Sequence, residues 1–142
     1  TERWRNKKYC DGNCAIKDIG SRRTSPKAAK GKNGIRPDIH PEINFYSRWE
    51  ANFARILSLL NMRWEFQSKT FDLGSQKYTP DFYLPEKDTY VEIKNFLSDY
   101  SLKRDLEFRR LYHDTKLILI LKNDYLELQK TFSPLIKEWE FS

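Results

Sequence analysis

Apolar residues recur at steps of three and four from Tyr46 onward, at Trp49, Phe53, Ile56, Leu57 and Leu60, while Arg48 and Arg55 fall on the other side. That spacing predicts an amphipathic helix. After Asn61 the period drops to two. Met62, Trp64 and Phe66 alternate with Arg63, Glu65 and Gln67, as a half-buried strand requires. Tyr78 to Leu84 and Thr89 to Lys94 read as two more extended segments, and the polar, turn-prone Pro85, Glu86, Lys87 and Asp88 between them predict a hairpin. Residues near Asp99 to His113 read as a helix with mixed charges and an Asp105–Arg109 pair at i,i+4. Lys116 to Leu121 contains an unbroken Leu-Ile-Leu-Ile-Leu run, which predicts a central strand covered on both faces and reached by a helical crossover. Leu126, Phe132, Leu135, Ile136 and Trp139 then predict one or two terminal helices, broken near Pro134. The resulting order is helix, three strands, helix, strand and terminal helices. It defines an α/β fold with a mixed sheet flanked by helices.

Composition adds an appendage to this picture. From Ser21 to Pro41 the chain is Lys, Arg, Gly, Pro and Ser with scarcely any large apolar residue, so it cannot bury enough surface to fold alone. The expected division is a basic N-terminal arm over 1–41 and a folded domain over 42–142. Charge sharpens it. Residues 1–36 hold eleven Lys or Arg against Glu2, Asp11 and Asp18, a net of +8 that leaves −2 for everything after, out of +6 in total. A positive arm on a nearly neutral domain points to a polyanion, because neutralising phosphates releases condensed counterions. DNA is the expected partner, with Arg22, Arg23, Lys27, Lys30, Lys32 and Arg36 as backbone contacts. The alternative is a solubilising tail. At 142 residues, 39% apolar and 15% aromatic, the chain has material for one core. No run is long enough to cross a bilayer and no apolar leader opens the chain, so an intracellular place is expected: cytoplasmic or nucleoid-associated, or in the host cell if phage-encoded.

The predicted hairpin carries the chemistry. Asp81 shares a strand face with Thr79 and Tyr83, while Glu92 and Lys94 share one face of the partner strand and Val91 and Ile93 turn into the core. Pairing the strands gathers two carboxylates and an ammonium on one side of the sheet. The carboxylates repel unless something positive lies between them, and hard oxygen ligands in an open site suit Mg²⁺ or Mn²⁺. Lys94 would orient or deprotonate an attacking water. The alternative is an ordinary hairpin whose Glu92 and Lys94 face water.

Pro80-Asp81, ten residues, then Glu92-Ile93-Lys94 resembles the signature of the PD-(D/E)xK nuclease superfamily. The resemblance covers residues 46–121. It implies the restriction-endonuclease-like fold, with core order α-β-β-β-α-β. It also implies metal ligation by the Asp81 and Glu92 side chains and the Ile93 carbonyl, service of the nucleophilic water by Lys94, and 5′-phosphate and 3′-hydroxyl products. A glutamate on the preceding helix commonly completes such sites, and Glu50 occupies that place. Two decoys lack the context: Pro37-Asp38 lies in the arm with no strand pair after it, and Asp114-Thr115-Lys116 has no partner carboxylate upstream on a hairpin. Within the superfamily the chain is similar to small phage-type endonucleases, homing endonucleases, junction resolvases and transposase endonuclease subunits. A metal-dependent DNA endonuclease is therefore expected. A DNA-binding module that keeps the fold without turnover, and an RNA nuclease, are the alternatives. A double-strand cut by one active site per chain would require a homodimer or sequential nicking.

Two features admit two readings each. Ser47-Arg48-Trp49-Glu50 is a capping box, with Glu50 reaching back to the Ser47 N–H, yet Glu50 also lies only about 20° outside the apolar stripe at 100° per residue. A metal-facing role accounts for that position and can coexist with capping. Cys10-Asp11-Gly12-Asn13-Cys14 resembles half of a zinc knuckle. With only His40 and His113 elsewhere, either the first ligand pair for Zn²⁺ lies upstream of this chain or these are plain reduced thiols. His113 reads as a surface residue near a helix end, and Trp64, Phe66, Tyr78 and Phe82 read as core. No glycine-rich phosphate loop is present, so nucleotide hydrolysis finds no support.

Overall fold

The computed structural model describes residues 33–141. Strands β1 (Gly34–Ile35) and β2 (Asn44–Phe45) lead into helix α1 (Arg48–Leu59); β3 (Glu65–Phe66), β4 (Phe71–Asp72), β5 (Lys77–Tyr78), β6 (Phe82–Leu84) and β7 (Thr89–Ile93) follow. Helix α2 (Asp99–Leu111), β8 (Lys116–Ile120), α3 (Lys122–Phe132) and a 3-10 turn over Ser133–Leu135 complete the chain. The principal sheet runs β3-β6-β7-β8, antiparallel except for the parallel β7–β8 pair that α2 connects. Three of its strands lie between α1 and α2 and the fourth follows α2, with the β4–β5 hairpin inserted between the first and the second. Among the described residues no helix is long and apolar enough to cross a membrane.

Local chemistry sets the helix limits. Ser47 caps α1 by accepting the Glu50 N–H at 3.2 Å. At the other end Asn61, at φ 57°, adopts the left-handed conformation that asparagine tolerates, and the Met62 N–H reaches back to the Leu57 carbonyl at 2.9 Å. Ser98 caps α2 through the Ser101 N–H, and Arg109 and Arg110 fall in its last turn, where the helix dipole favours cations. Pro134 cannot prolong α3 and sits in the 3-10 turn.

Two apolar clusters lie against the sheet. The larger joins Trp49, Phe53, Ile56 and Leu57 of α1 to Phe82, Leu84, Val91, Ile93 and Ile120, with Tyr125 and Trp139 from the C-terminal elements. The smaller joins Phe71, Leu73 and Tyr78 of the β4–β5 hairpin to Phe108 of α2 and Leu117 of β8. Strand alternation explains the division: Val91 and Ile93 enter the larger cluster, while Tyr90 packs on the smaller one.

The structure departs from the sequence reading in five places. Tyr78 to Leu84 is two strands, because Thr79-Pro80-Asp81 breaks it and sends β5 to pair with β4. That β4–β5 hairpin was hidden in a polar stretch; it turns at Gly74, whose φ of 88° suits glycine. Strand β8 is the sheet's edge, not its centre, and Ile118 is 51% exposed, although the crossover into it is helical as expected. Arg48 and Arg55 do not face solvent, at 7% and 8% exposure: Arg55 is paired with Asp38 and Glu140, and Arg48 lies beside Tyr125 of α3. The packed unit also begins ahead of residue 42: β1 pairs with β2, and Arg36 and Asp38 are tied to the domain.

Those ties form one network. Arg55 holds Asp38 through two contacts of 2.8 and 3.0 Å and Glu140 at 2.8 Å. Arg36 forks onto both Glu140 oxygens at 2.9 and 3.0 Å. Asn52, fully buried, accepts the Glu140 N–H and donates to the Glu140 carbonyl and the Tyr125 hydroxyl. Planar guanidiniums matched to carboxylates in this way are the strong form of ion pair. The Pro37-Asp38 decoy is thus part of a strut.

Candidate functional site

Three backbone features bring the acidic residues together. Pro80, which cannot donate to a ladder, separates β5 from β6, and the Asp81 carbonyl accepts the Gln67 N–H at 2.8 Å. The Asp81 side chain turns inward, where Oδ2 accepts the Ile93 N–H at 2.8 Å and thereby links the start of β6 to the end of β7. With Val91 and Ile93 committed to the large core, Glu92 emerges on the opposite face, toward Tyr78 and α2. Glu50, in the first turn of α1, accepts the Tyr46 N–H at 2.9 Å. The Ser47 N–H also bonds to it, as the capping box predicts, so Glu50 gathers two backbone donors.

The carboxylates of Asp81 and Glu92 are both only 6% exposed, which is not the arrangement of a solvated hairpin. Oε2 of Glu92 lies 3.8 Å from Lys94 Nζ and 3.5 Å from Arg104 Nη2. Its other oxygen, Oε1, is buried and has no hydrogen-bond partner among the described residues. Leaving such an oxygen unpaired costs on the order of 1–3 kcal/mol, more if it is charged.

Every acid here is shifted toward the neutral form. Burial, reinforced by the Glu92 and then the Glu50 charge, holds Asp81 well above the usual carboxylate range against the pull of the Ile93 N–H and Lys94. Burial raises Glu92 as well, with Lys94 and Arg104 opposing. Glu50 is pushed up to about 7, chiefly by burial, with the Tyr46 N–H opposing and Glu92 adding to the rise. Burial and the two neighbouring carboxylates also keep the Tyr78 phenol protonated, as a donor beside Glu92. Three acids that repel one another and one orphaned oxygen form a site short of positive charge.

That deficit fits a divalent ion. Mg²⁺ and Mn²⁺ take oxygen ligands, and Mg²⁺ characteristically uses one or two carboxylates and retains water for the rest. Asp81 and Glu92 supply such a pair, and the Ile93 peptide adjoins both. Among the described residues no three His, Cys, Asp or Glu side chains are drawn together tightly enough to cage an ion. The fit is to a water-rich site, not a closed one.

The structure thus brings Asp81, Glu92, Lys94 and Glu50 into one electrostatic neighbourhood. It gives Arg36 a different place from the one expected: its guanidinium is buried on Glu140 and the Gly34 carbonyl, which makes it a strut and not a phosphate contact. Cys10, Cys14, Arg22, Arg23, Lys27, Lys30 and Lys32 lie outside the described residues. His40 accepts the Glu42 and Ile43 N–H groups in a turn, and His113 lies at the surface beside Asp114. Sequence reasoning missed Arg104 and took Tyr78 for core alone. A signal existed, since a helix crossing from β7 to β8 over the Glu92 face must present some residues to that carboxylate, and Tyr100 and Arg104 stand at i,i+4. Comparison of the chain with protein-family models, with curated proteins and with solved structures finds no match.

Proposed function

We propose that the chain is a metal-dependent DNA endonuclease of the PD-(D/E)xK type, with the restriction-endonuclease-like fold. The observation that carries this reading is the orphaned Oε1 of buried Glu92 beside Asp81 and Glu50, a cation-deficient acidic pocket on the motif that sequence alone singled out. The principal sheet, with three strands between α1 and α2 and a fourth after α2, supports the fold. Asp81, Glu92 and the Ile93 carbonyl would hold Mg²⁺ or Mn²⁺, with Glu50 beside them. When bound, the ion supplies positive charge at the phosphate and makes an adjacent water easier to deprotonate. Lys94, steered by Glu92 at 3.8 Å, orients the water for in-line attack on phosphorus. The P–O3′ bond breaks, the 3′-oxygen takes up a proton, and the new 5′-phosphate keeps the water's oxygen. The basic N-terminal segment supplies backbone affinity.

Plasmid nicking tests the reading. The wild-type chain is expected to nick in Mg²⁺ or Mn²⁺ and not in EDTA, and Lys94→Ala to lower the rate by about 10²-fold or more. A second reading is a DNA-binding module without turnover, in which the basic N-terminal segment carries the function. It takes over if both proteins are inert while a shift assay still shows binding. Removing residues 1–32 is expected to weaken DNA affinity and flatten its salt dependence; an unchanged slope takes the arm out of recognition.

A further inference from the structure

We propose that Arg104 is a substrate-contacting residue of this site, a guanidinium that rests against Glu92 in the free protein and turns its donors onto a phosphodiester oxygen when DNA and metal are bound. The inference rests on the nuclease reading and adds to it a phosphate-binding group from α2.

The case begins with how little holds Arg104. Arg36 and Arg55 are each committed to carboxylates through hydrogen bonds of 2.8–3.0 Å. Arg109 is bonded to Asp105 and to the Leu117 carbonyl, and Arg110 to Glu107. Arg104 meets Glu92 at 3.5 Å, beyond good hydrogen-bond length, and among the described residues makes no hydrogen bond from its guanidinium. A half-buried guanidinium with unspent donors is costly, and it is kept in place by other means. Its plane lies 4.5 Å from the Tyr78 ring centre and 6.0 Å from that of Tyr100. The Tyr100 hydroxyl is itself fastened to Gln76 of the β4–β5 hairpin. The aromatic faces attract the cation without using its N–H groups. Arg104 is thus oriented and still has its planar fork free, which is the arrangement that phosphate recognition needs.

Position completes the case. Lys94 and Arg104 both approach Oε2 of Glu92, which leaves Oε1 for the cation of the proposed function. A phosphate drawn to that cation would arrive beside Arg104. Once the cation neutralises Glu92, the weak 3.5 Å pair loses its main attraction, and the incoming phosphate, a better-shaped anion for the fork, takes its place. Three positive groups would then surround the phosphate where charge builds up during the reaction.

Two measurements on the full chain test this. In single-turnover cleavage of a duplex with Mg²⁺, Arg104→Gln is expected to lower the rate about 10²- to 10³-fold, and Arg104→Lys about tenfold, since an ammonium restores charge without the fork. Independently of turnover, in a Lys94→Ala background, Arg104→Gln is expected to weaken duplex binding about tenfold in Mg²⁺ and less than twofold in EDTA. A wild-type chain that cuts DNA, with an Arg104→Gln chain that cuts equally well, overturns the role of Arg104 and leaves the nuclease reading intact. A wild-type chain that never cuts overturns the nuclease reading, and the binding measurement then decides: a loss confined to Mg²⁺ upholds Arg104 as a phosphate ligand, and equal affinity overturns it. Should Arg104→Gln fail to fold, wild-type rate and affinity in Arg104→Lys overturn the proposal.

Discussion

Two clusters of carboxylates lie near helix α1, and they are built in opposite ways. In the strut, Asp38 and Glu140 face Arg36 and Arg55 through bonds of 2.8–3.0 Å, and Arg55 and Arg36 hold both acids below their ordinary pKa despite burial. At the candidate site Glu92 meets Lys94 at 3.8 Å and Arg104 at 3.5 Å beside Glu50 and Asp81, and all three acids are raised. Both clusters set acids against bases, so charge content alone does not separate them. Matching does. Forked guanidiniums give each strut acid more than it lost on leaving water, whereas the site acids have lost water without regaining an equivalent. The matched cluster serves structure, and the shortfall in the other is what the proposed cation would make good.

The sharpest way to break this comparison is to neutralise one acid in each cluster. Asp81→Asn retains an oxygen to accept the Ile93 N–H, removes one repelling charge, and is expected to lower nicking by about 10³-fold or more while raising metal-free stability by on the order of 1 kcal/mol. Urea unfolding together with the nicking assay reads both; a destabilised Asp81→Asn would mean that the acids do not repel. Glu140→Gln is the mirror experiment. It strands Arg36 and Arg55 and is expected to cost about 3 kcal/mol in the same unfolding assay, with cleavage by the folded fraction unchanged.

A pH series in EDTA separates the clusters without mutation. The strut acids have depressed pKa values, so their contribution is complete above the ordinary values of 3.8 for Asp38 and 4.5 for Glu140 and is lost as pH falls through the lowered ones. The site acids are raised, so their contribution is complete below the ordinary values and is lost as pH rises through the shifted ones, about 7 for Glu50. Metal-free stability should therefore peak near pH 5, between the two windows, and decline on both sides. Saturating Mg²⁺ should flatten the alkaline decline alone, by roughly 3 kcal/mol at a hundred times Kd. A decline that Mg²⁺ leaves untouched would argue against metal at this site. The smallest effect belongs to Glu50→Gln, whose amide oxygen can still accept the Tyr46 N–H. Stability near neutrality should change little, and cleavage should fall about tenfold if Glu50 assists the metal; an unchanged rate would restrict Glu50 to capping.

Much of the strut was illegible in the sequence, and much of the site was not. Asp81, Glu92 and Lys94 sit thirteen positions or fewer apart on strands whose alternation fixes their faces, so local rules suffice to gather them. Arg36 and Glu140 are separated by 104 positions, and nothing local announces that they meet. The same distinction governs the fold. Helix α1 and strands β6 and β7 follow from periodicity, because their cores are of the expected kind. The β4–β5 hairpin buries Phe71, Leu73 and Tyr78 against α2, a partner that periodicity does not name. The Leu-Ile-Leu-Ile-Leu run misled about place and not about coverage: Leu117 enters the smaller cluster and Ile120 the larger, one on each face, while β8 ends the sheet.

The Arg36–Glu140 fork also has a kinetic meaning. Joining residues 104 positions apart confers nothing until the intervening chain has organised, because closing so large a loop costs entropy that only the rest of the fold can offset. The strut should therefore close after the rate-limiting step of folding. Glu140→Gln would then leave the refolding rate nearly unchanged and express its whole effect as faster unfolding, so that this pair acts as a latch on an already assembled domain and sets how long the native state lasts.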